Sequence, residues 1–229
     1  MPDDGIVLLS GGLDSAVTLA IAKRECGEVH ALTVRYGQRH AVELSCARAV
    51  ARSLGVASHR VLDVDLSSWG GSSLIGGGPP VPKDRSEQEI VSAIPSTYVP
   101  ARNTVLLALA LSCAEAIGAG AIYIGVHAED GAGYPDTRPE YLEAFRRLAA
   151  LATRRGVEGR GIEVRAPLLA CNKAAIVSLG RELQVDFALT SSCYDPLPDG
   201  SPCGRCDACS LRAKGFREAG FSDPPSRRS

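Results

Sequence analysis

Apolar residues fall along this chain in short runs and longer amphipathic stretches that alternate in a regular order. Ile6-Val7-Leu8-Leu9 is a continuous apolar run, the pattern of a strand covered on both faces. Ser10-Gly11-Gly12 breaks it, and a helix is predicted from Ala16 to Lys23. Val29 to Tyr36, rich in β-branched residues, predicts a second strand. Val42 to Leu54 reads as a helix with Val42, Leu44, Val50 and Leu54 apolar and Gly55 as its stop. Arg60 to Leu66 alternates and predicts a third strand. This β-α-β-α-β order implies an α/β fold, a Rossmann-like parallel sheet with helices on both faces.

Ser67 to Pro100 breaks the rhythm. It holds Gly70, Gly71, Gly76, Gly77 and Gly78 together with Pro79, Pro80, Pro82, Pro95 and Pro100. A connection of this length is uncommon in a compact domain, so it reads as a flexible lid or as a disordered surface insertion. Regular pattern resumes with Asn103 as an expected N-cap before Val105 to Leu111, a helix apolar nearly all round and therefore expected to be buried. Ala121 to Val126 predicts a fourth strand, Pro139 to Arg155 an amphipathic helix and Ile162 to Leu168 a fifth strand. Asn172 is placed to cap a helix reaching about Leu183, and a short helix follows the cysteines of the tail. No internal repeat is present.

Composition narrows the function classes. The 229 residues carry 25 Lys+Arg against 26 Asp+Glu, a net charge of -1, where a dedicated nucleic-acid binder is usually strongly basic. With 45% hydrophobic and 22% charged residues, the chain has the mix of an ordinary globule and not of a disordered one. The start, Met1 to Gly5, is acidic where a signal peptide is basic, and Ile6 to Leu9 is too short for its apolar segment. No stretch approaches the roughly 20 apolar residues that span a bilayer. A reducing, cytoplasmic location is expected, where clustered cysteines bind metal or do redox chemistry in preference to forming disulfides.

Two constellations carry chemistry. Ser10-Gly11-Gly12-Leu13-Asp14-Ser15 lies between the first strand and the first helix, at the end of a sheet where ligands bind. Glycines let a phosphate approach the backbone, and a helix start offers it free N–H groups. The loop is neither a Walker A motif nor GxGxxG. An acid beside phosphates is paradoxical, and a Mg²⁺ ion near Asp14 would resolve it; a plain tight turn is the alternative. The second constellation is Cys193, Cys203, Cys206 and Cys209, spaced C-x9-C-x2-C-x2-C. Four thiolates close a tetrahedral structural Zn²⁺ site, and the same spacing also begins an iron–sulfur pattern. Cys26, Cys46 and Cys113 read as core residues, and Cys171 lies nearer the expected site.

Ser10 to Ser15 resembles the SGGxDS signature of the PP-loop ATP pyrophosphatases. Further segments sharpen this: Tyr36 to His40, Tyr98 to Asn103, Ile124 to His127 with Asp130, Gly133 to Asp136, Leu189 to Tyr194 and Cys203 to Arg212. With the loop, these are similar to the QueC family over nearly the whole chain, Ile6 to about Pro224. One departure is Thr137, where many members carry Cys. The resemblance implies a PP-loop/HUP-type domain over residues 1–190 and a zinc-binding segment over 191–229 packed on the same domain. It implies a ligase that converts 7-carboxy-7-deazaguanine, ammonia and ATP to the 7-cyano compound in queuosine biosynthesis. It makes Cys193, Cys203, Cys206 and Cys209 ligands of a structural zinc.

Roles follow from that resemblance as expectations. Leu9, Ser10, Gly11, Gly12, Leu13, Asp14 and Ser15 hold ATP, with Mg²⁺ near Asp14. Asp14, Ser15, Lys173 and Arg102 act in catalysis, the two cations on phosphate charge; for either cation, a solvated helix start is the alternative. Gln38, Arg39, Asp130, Tyr134, Asp136 and Arg138 face the substrate, where a hydrogen-bonded turn is the alternative. His40 is either in the same crevice or a helix-start residue. Ammonia arrives free or from a separate partner, since no room for a glutaminase domain is visible. A homodimer is left open. The competing classes are a tRNA-modifying PP-loop thiolase, which calls for a basic RNA-binding face, and a zinc-ribbon module using Arg212, Lys214, Arg217, Arg227 and Arg228 on nucleic acid, which leaves SGGLDS unexplained.

Overall fold

The computed structural model describes residues 3–38, 42–130 and 133–226. Five strands, β1 (Gly5–Leu8), β2 (Val29–Arg35), β3 (Ser58–Asp63), β4 (Ala121–Tyr123) and β5 (Glu163–Arg165), form one sheet in the order β3-β2-β1-β4-β5. Every pairing is parallel. The order reverses between β1 and β4, which opens a crevice at their carboxyl ends. The alternation within β1 shows why the run is wholly apolar: Val7 joins the core on one face and Ile6 and Leu8 the core on the other.

On the first face lie α1 (Leu13–Glu25), α2 (Val42–Leu54), α7 (Lys173–Glu182) and α8 (Asp207–Glu218). On the second lie α4 (Arg102–Ile117) and α5 (Pro139–Ala152). The helix expected to run through to Arg155 stops at Ala152, and a short α6 (Arg154–Val157) restarts after Thr153. Thr153 accepts from the Gly156 N–H and so caps the new turn.

Two expectations about α4 fail for identifiable reasons. Asn103 does not cap it. The cap position is Ala101, in the left-handed region at φ 51°, and the Asn103 N–H is met by Asp136 Oδ2 at 2.8 Å. A carboxylate from a distant turn does the work that a local side chain was expected to do. Nor is α4 buried all round. Thr104, Ala108, Ser112 and Ala116 form an exposed stripe at four-residue spacing, because small residues made the segment apolar without making it bulky.

Ser67 to Pro100 is not a disordered insertion. Ser72, Ser73, Ile75, Val81, Thr97 and Val99 are buried within it. The polar ones find partners: Ser73 N–H donates to Ser96 O at 2.7 Å, and Ser73 Oγ to Ser96 Oγ at 2.8 Å. A short helix, α3 (Glu87–Val91), opens on a reciprocal Ser86–Glu89 capping box. Residues 83–87 lie along the cysteine segment as a strap. Lys83 pairs with Asp195 at 2.7 Å, Asp84 with Arg205, Arg85 with buried Asp207, and Glu87 with Lys214 at 2.7 Å.

The helices of the first face approach closely at glycine. A Cβ on Gly180 of α7 would lie 2.3 Å from Phe187 Cζ and 2.8 Å from Val17 Cγ2 of α1. Replacing glycine by alanine inside a helix normally stabilises it by about 0.5–1 kcal/mol. Here the sign reverses: Gly180→Ala should lower unfolding free energy by about 1–3 kcal/mol through overpacking, read by urea denaturation.

Candidate active site and cysteine centre

The crevice at the switch point is a cavity walled by the Ser10–Ser15 loop, the ends of β2 and β4, the start of α7 and the cysteine segment. The loop is tied by its own serines. Ser10 Oγ accepts from the Gly12 N–H at 3.2 Å and lies 3.1 Å from Ser15 Oγ, which donates to Gly12 O at 3.0 Å. Gly12 is the N-cap of α1 and supplies no side-chain cap. The first turn thus keeps its positive end for an anion in the cavity. Leu9, Ser10, Gly12, Asp14 and Ser15 line that cavity; Gly11 and Leu13 do not. Leu13 is core. Gly11, at φ 87°, is needed for a different reason from the phosphate approach expected of it. A Cβ there would lie 2.3 Å from Glu43 O and 2.7 Å from Ala47 N, so the glycine admits α2 against the loop.

Lys173, the first residue of α7, is buried beside the loop. Its Nζ donates to Asp14 Oδ1 at 2.8 Å and Oδ2 at 3.0 Å, and lies 2.8 Å from His127 Nε2. An ammonium only donates, so Nε2 accepts and the imidazole hydrogen is assigned to Nδ1. Burial pushes the Asp14 carboxyl up, but the Lys173 ammonium outweighs it and holds the group below the ordinary carboxylate value. The acid in the loop is therefore paired with a lysine of the chain. Lys173 is not a solvated helix-start cation. Gly215 of α8 packs on it so tightly that a Cβ there would sit 2.4 Å from Lys173 Cγ.

Beyond this hub the cavity becomes aromatic. Arg102 also faces it, with its guanidinium 5.5 Å from the Tyr36 ring centroid and Nη1 3.3 Å from the Tyr36 hydroxyl. Tyr134 shares its hydroxyl with Thr97 at 2.8 Å and lies 3.5 Å from that of Tyr194. Gln38 lines the same wall, its Oε1 accepting from the Tyr36 N–H at 2.7 Å. Asp130 accepts from the His127 N–H at 3.1 Å, and burial raises its carboxyl. Thr137, the position that departs from the family pattern, lines the cavity and donates to Tyr134 O at 2.7 Å.

Two residues expected at the substrate do not line the cavity. Asp136 is buried and engaged at the start of α4, where its carboxylate and carbonyl hold the Asn103 backbone and side chain. Arg138 is exposed at the N-cap position of α5. Arg39 and His40 lie outside the described residues. Sequence reasoning assigned no site role to His127, Glu43, Tyr36 or Tyr194, all cavity-lining. His127, Tyr36 and Tyr194 sat inside segments already singled out. Glu43 had only a weak signal, an acid in the first turn of a helix that follows a strand's carboxyl end. Arg212, considered for nucleic acid, instead faces the cavity and is held by Asp223 and Thr190, each at 2.8 Å.

The four cysteines converge. Their Sγ atoms all lie within 4.8 Å of one another. A single tetrahedral ion with metal–sulfur bonds of about 2.3 Å spaces its sulfurs about 3.8 Å apart, and Cys193 and Cys206 are 4.0 Å apart. Backbone N–H groups of Cys203 and Asp195 donate to Cys193 Sγ at 3.2 and 3.4 Å, as thiolate ligands require. The cluster is thus positioned to bind a metal ion, with no position left open for a substrate.

Two outcomes follow from this geometry. Lys173→Met strands Asp14, whose side chain is 25% exposed, so stability at pH 7 should fall by about 2–3 kcal/mol in urea unfolding. Asp14 is depressed in the folded state, so its contribution is present above the unfolded value of about 3.9 and is lost as pH falls through the folded one. The gap between Lys173→Met and the parent should therefore narrow on acidification below about pH 4. Cys206→Ser should lose the bound metal, read by elemental analysis, and melt several degrees lower.

The family model described as "Queuosine biosynthesis protein QueC" matches residues 4–220. The 7-cyano-7-deazaguanine synthase of Anaeromyxobacter dehalogenans (strain 2CP-C) is 59% identical over 219 residues, 96% of this chain and 93% of that protein. That of Anaeromyxobacter sp. (strain Fw109-5) is 58% identical, covering 96% and 94%. That of Syntrophus aciditrophicus (strain SB) is 56% identical over 220 residues, covering 96% and 95%. On a match of this extent, with the loop, the switch-point crevice and the four converging cysteines in place, this chain belongs to the QueC family.

Proposed function

We propose that this chain is an ATP-dependent 7-cyano-7-deazaguanine synthase that makes the nitrile from 7-carboxy-7-deazaguanine and ammonia. The observation that carries the reading is the uncapped start of α1 at the switch point with Lys173 held on Asp14 beside it. The names of relatives at 56–59% identity supply the product, the 7-cyano compound.

An acid becomes a nitrile by losing both carboxyl oxygens, and neither leaves readily from water. In the first half, a substrate carboxylate oxygen attacks the α-phosphorus of ATP and pyrophosphate leaves. Ammonia then attacks the acyl carbon, AMP departs with that oxygen, and one proton is released. In the second half the amide oxygen attacks a second ATP in the same way. The nitrile forms as AMP leaves and the nitrogen gives up its remaining two protons. Both halves place an adenylyl group on the same kind of oxygen, so one loop serves both. The protein's task is positioning and charge stabilisation.

The Ser10–Ser15 loop and the α1 start hold the phosphates. Lys173 and Arg102 face the charge that grows on the α-phosphate and pyrophosphate. Asp14 and His127 keep the Lys173 ammonium aimed, and Mg²⁺ enters with ATP. Zn²⁺ is the ion we assign to the four cysteines, the donor set of a closed structural site, in a cytoplasm that keeps thiols reduced. Ammonia is taken from solution or from a partner.

The test is direct. The protein with 7-carboxy-7-deazaguanine, ammonium, Mg²⁺ and ATP should yield the nitrile by mass spectrometry, with AMP and pyrophosphate. No nitrile, together with ATP turnover that depends on tRNA, would overturn the reading. Asp14→Asn should lower kcat about a hundredfold to a thousandfold, the scale for one lost charge-stabilising group, with metal content retained and stability lowered by about as much as in Lys173→Met, because Lys173 loses its charge partner.

A further inference from the structure

Glu43 has no part in the chemistry above, yet its side chain faces the same cavity. It stands in the first turn of α2, and its backbone is locked to the phosphate loop by the close approach at Gly11. Around its carboxylate are Gln38, which hydrogen-bonds it, Arg102 of α4, the Tyr36 ring at the end of β2, and Cys46 on its own helix. Gln38 has its oxygen on the Tyr36 N–H, so its amide NH₂ is the group left for Glu43.

A carboxylate is a poor neighbour for phosphates, so its partner is the ligand that carries none. A flat heteroaromatic ring suits walls made by Tyr36, Tyr134, Tyr194 and Leu74. Both nucleobase-like rings of the reaction must be considered. The pairing edge of a guanine-type ring offers two adjacent donors, N1–H and the 2-amino group, which two carboxylate oxygens can accept together. The corresponding edge of adenine sets an N1 lone pair beside its amino group, and a carboxylate repels it. The donor edge of a 7-deazaguanine ring also lies away from the carboxylate at its 7-position. Glu43 therefore repels the reacting end and attracts the far one, which orients the ring.

We infer that Glu43 is the specificity-determining residue that reads the N1–H and 2-amino edge of the deazaguanine substrate. The inference rests on the functional reading above. Burial raises the Glu43 carboxyl to about 7, with Arg102 and Gln38 pulling it back only in part. Above that value the group is an anion that accepts both N–H bonds; below it, protonation removes one acceptor and the charge. Arg102 stays cationic over the same range, Tyr36 stays neutral and the Cys46 thiol is pushed up, so none of these neighbours titrates there.

The experiment compares wild type, Glu43→Gln and Glu43→Asp on 7-carboxy-7-deazaguanine and on its analogue lacking the 2-amino group. Glu43→Gln should raise KM for the natural substrate about tenfold to a hundredfold, as expected for a lost charged bidentate pair, with KM for ATP unchanged. Glu43→Asp should recover part of the loss. Wild type should prefer the natural substrate over the analogue, and Glu43→Gln should lose most of that preference. For wild type, kcat/KM should fall as pH drops below about 7, and this dependence should be absent from Glu43→Gln. An unchanged KM in Glu43→Gln, a rise confined to KM for ATP, or a preference that survives the substitution would each overturn the inference alone. A wild type that makes no nitrile overturns the functional reading, and this inference with it.

Discussion

A buried ammonium must have partners, and Lys173 draws them from three parts of the chain. Asp14 comes from the loop after β1, His127 from the segment after β4, and Gly215 of α8 closes over the aliphatic stem. Stranding either charge is strongly unfavourable, so the three parts share one arrangement or the hub does not form. That requirement sets the crevice. The helix starts that follow β1 and β5 are joined at the crevice by the ion pair that keeps a cation beside the expected phosphates.

The cysteine segment shares this frame. Ser191 N–H donates to Gly11 O at 3.0 Å, joining the segment to the phosphate loop two residues before its first cysteine. Tyr194 and Arg212 then form part of the cavity wall, and the strap at residues 83–87 pairs along the far side. A metal ion on the four thiols would have no open position for chemistry and would hold a wall of the cavity, in a segment whose own apolar cluster is Val81 with the buried cysteines.

Much of this was legible early, because the signals were local. An apolar run followed by SGGLDS means a buried strand feeding a tight turn into a helix, and three cysteines within seven residues with a fourth nearby mean a cluster that could hold a metal ion. The misreadings came where a local signal had a distant competitor. Asn103 has the right chemistry for a cap, but Asp136 reaches its N–H first. Asp136 itself looked like a substrate ligand for the same reason, since nothing nearby in sequence shows that it is already engaged. Gly11 belongs to the motif, yet its missing side chain makes room for α2 and not for a ligand.

The sequence by itself determined the alternating α/β order, the glycine–serine loop between β1 and α1, the cluster of four cysteines and the family to which they belong. Each depends on residues close together along the chain, where spacing alone constrains geometry. The tertiary structure decided what those pieces do to one another. It brought Lys173 to Asp14 across 159 positions, placed Glu43 and Tyr36 in the crevice, and removed Asp136 and Arg138 from it. Ion pairing, burial and the shift of a carboxyl group all fall off with distance in space, and a linear pattern carries no record of that distance.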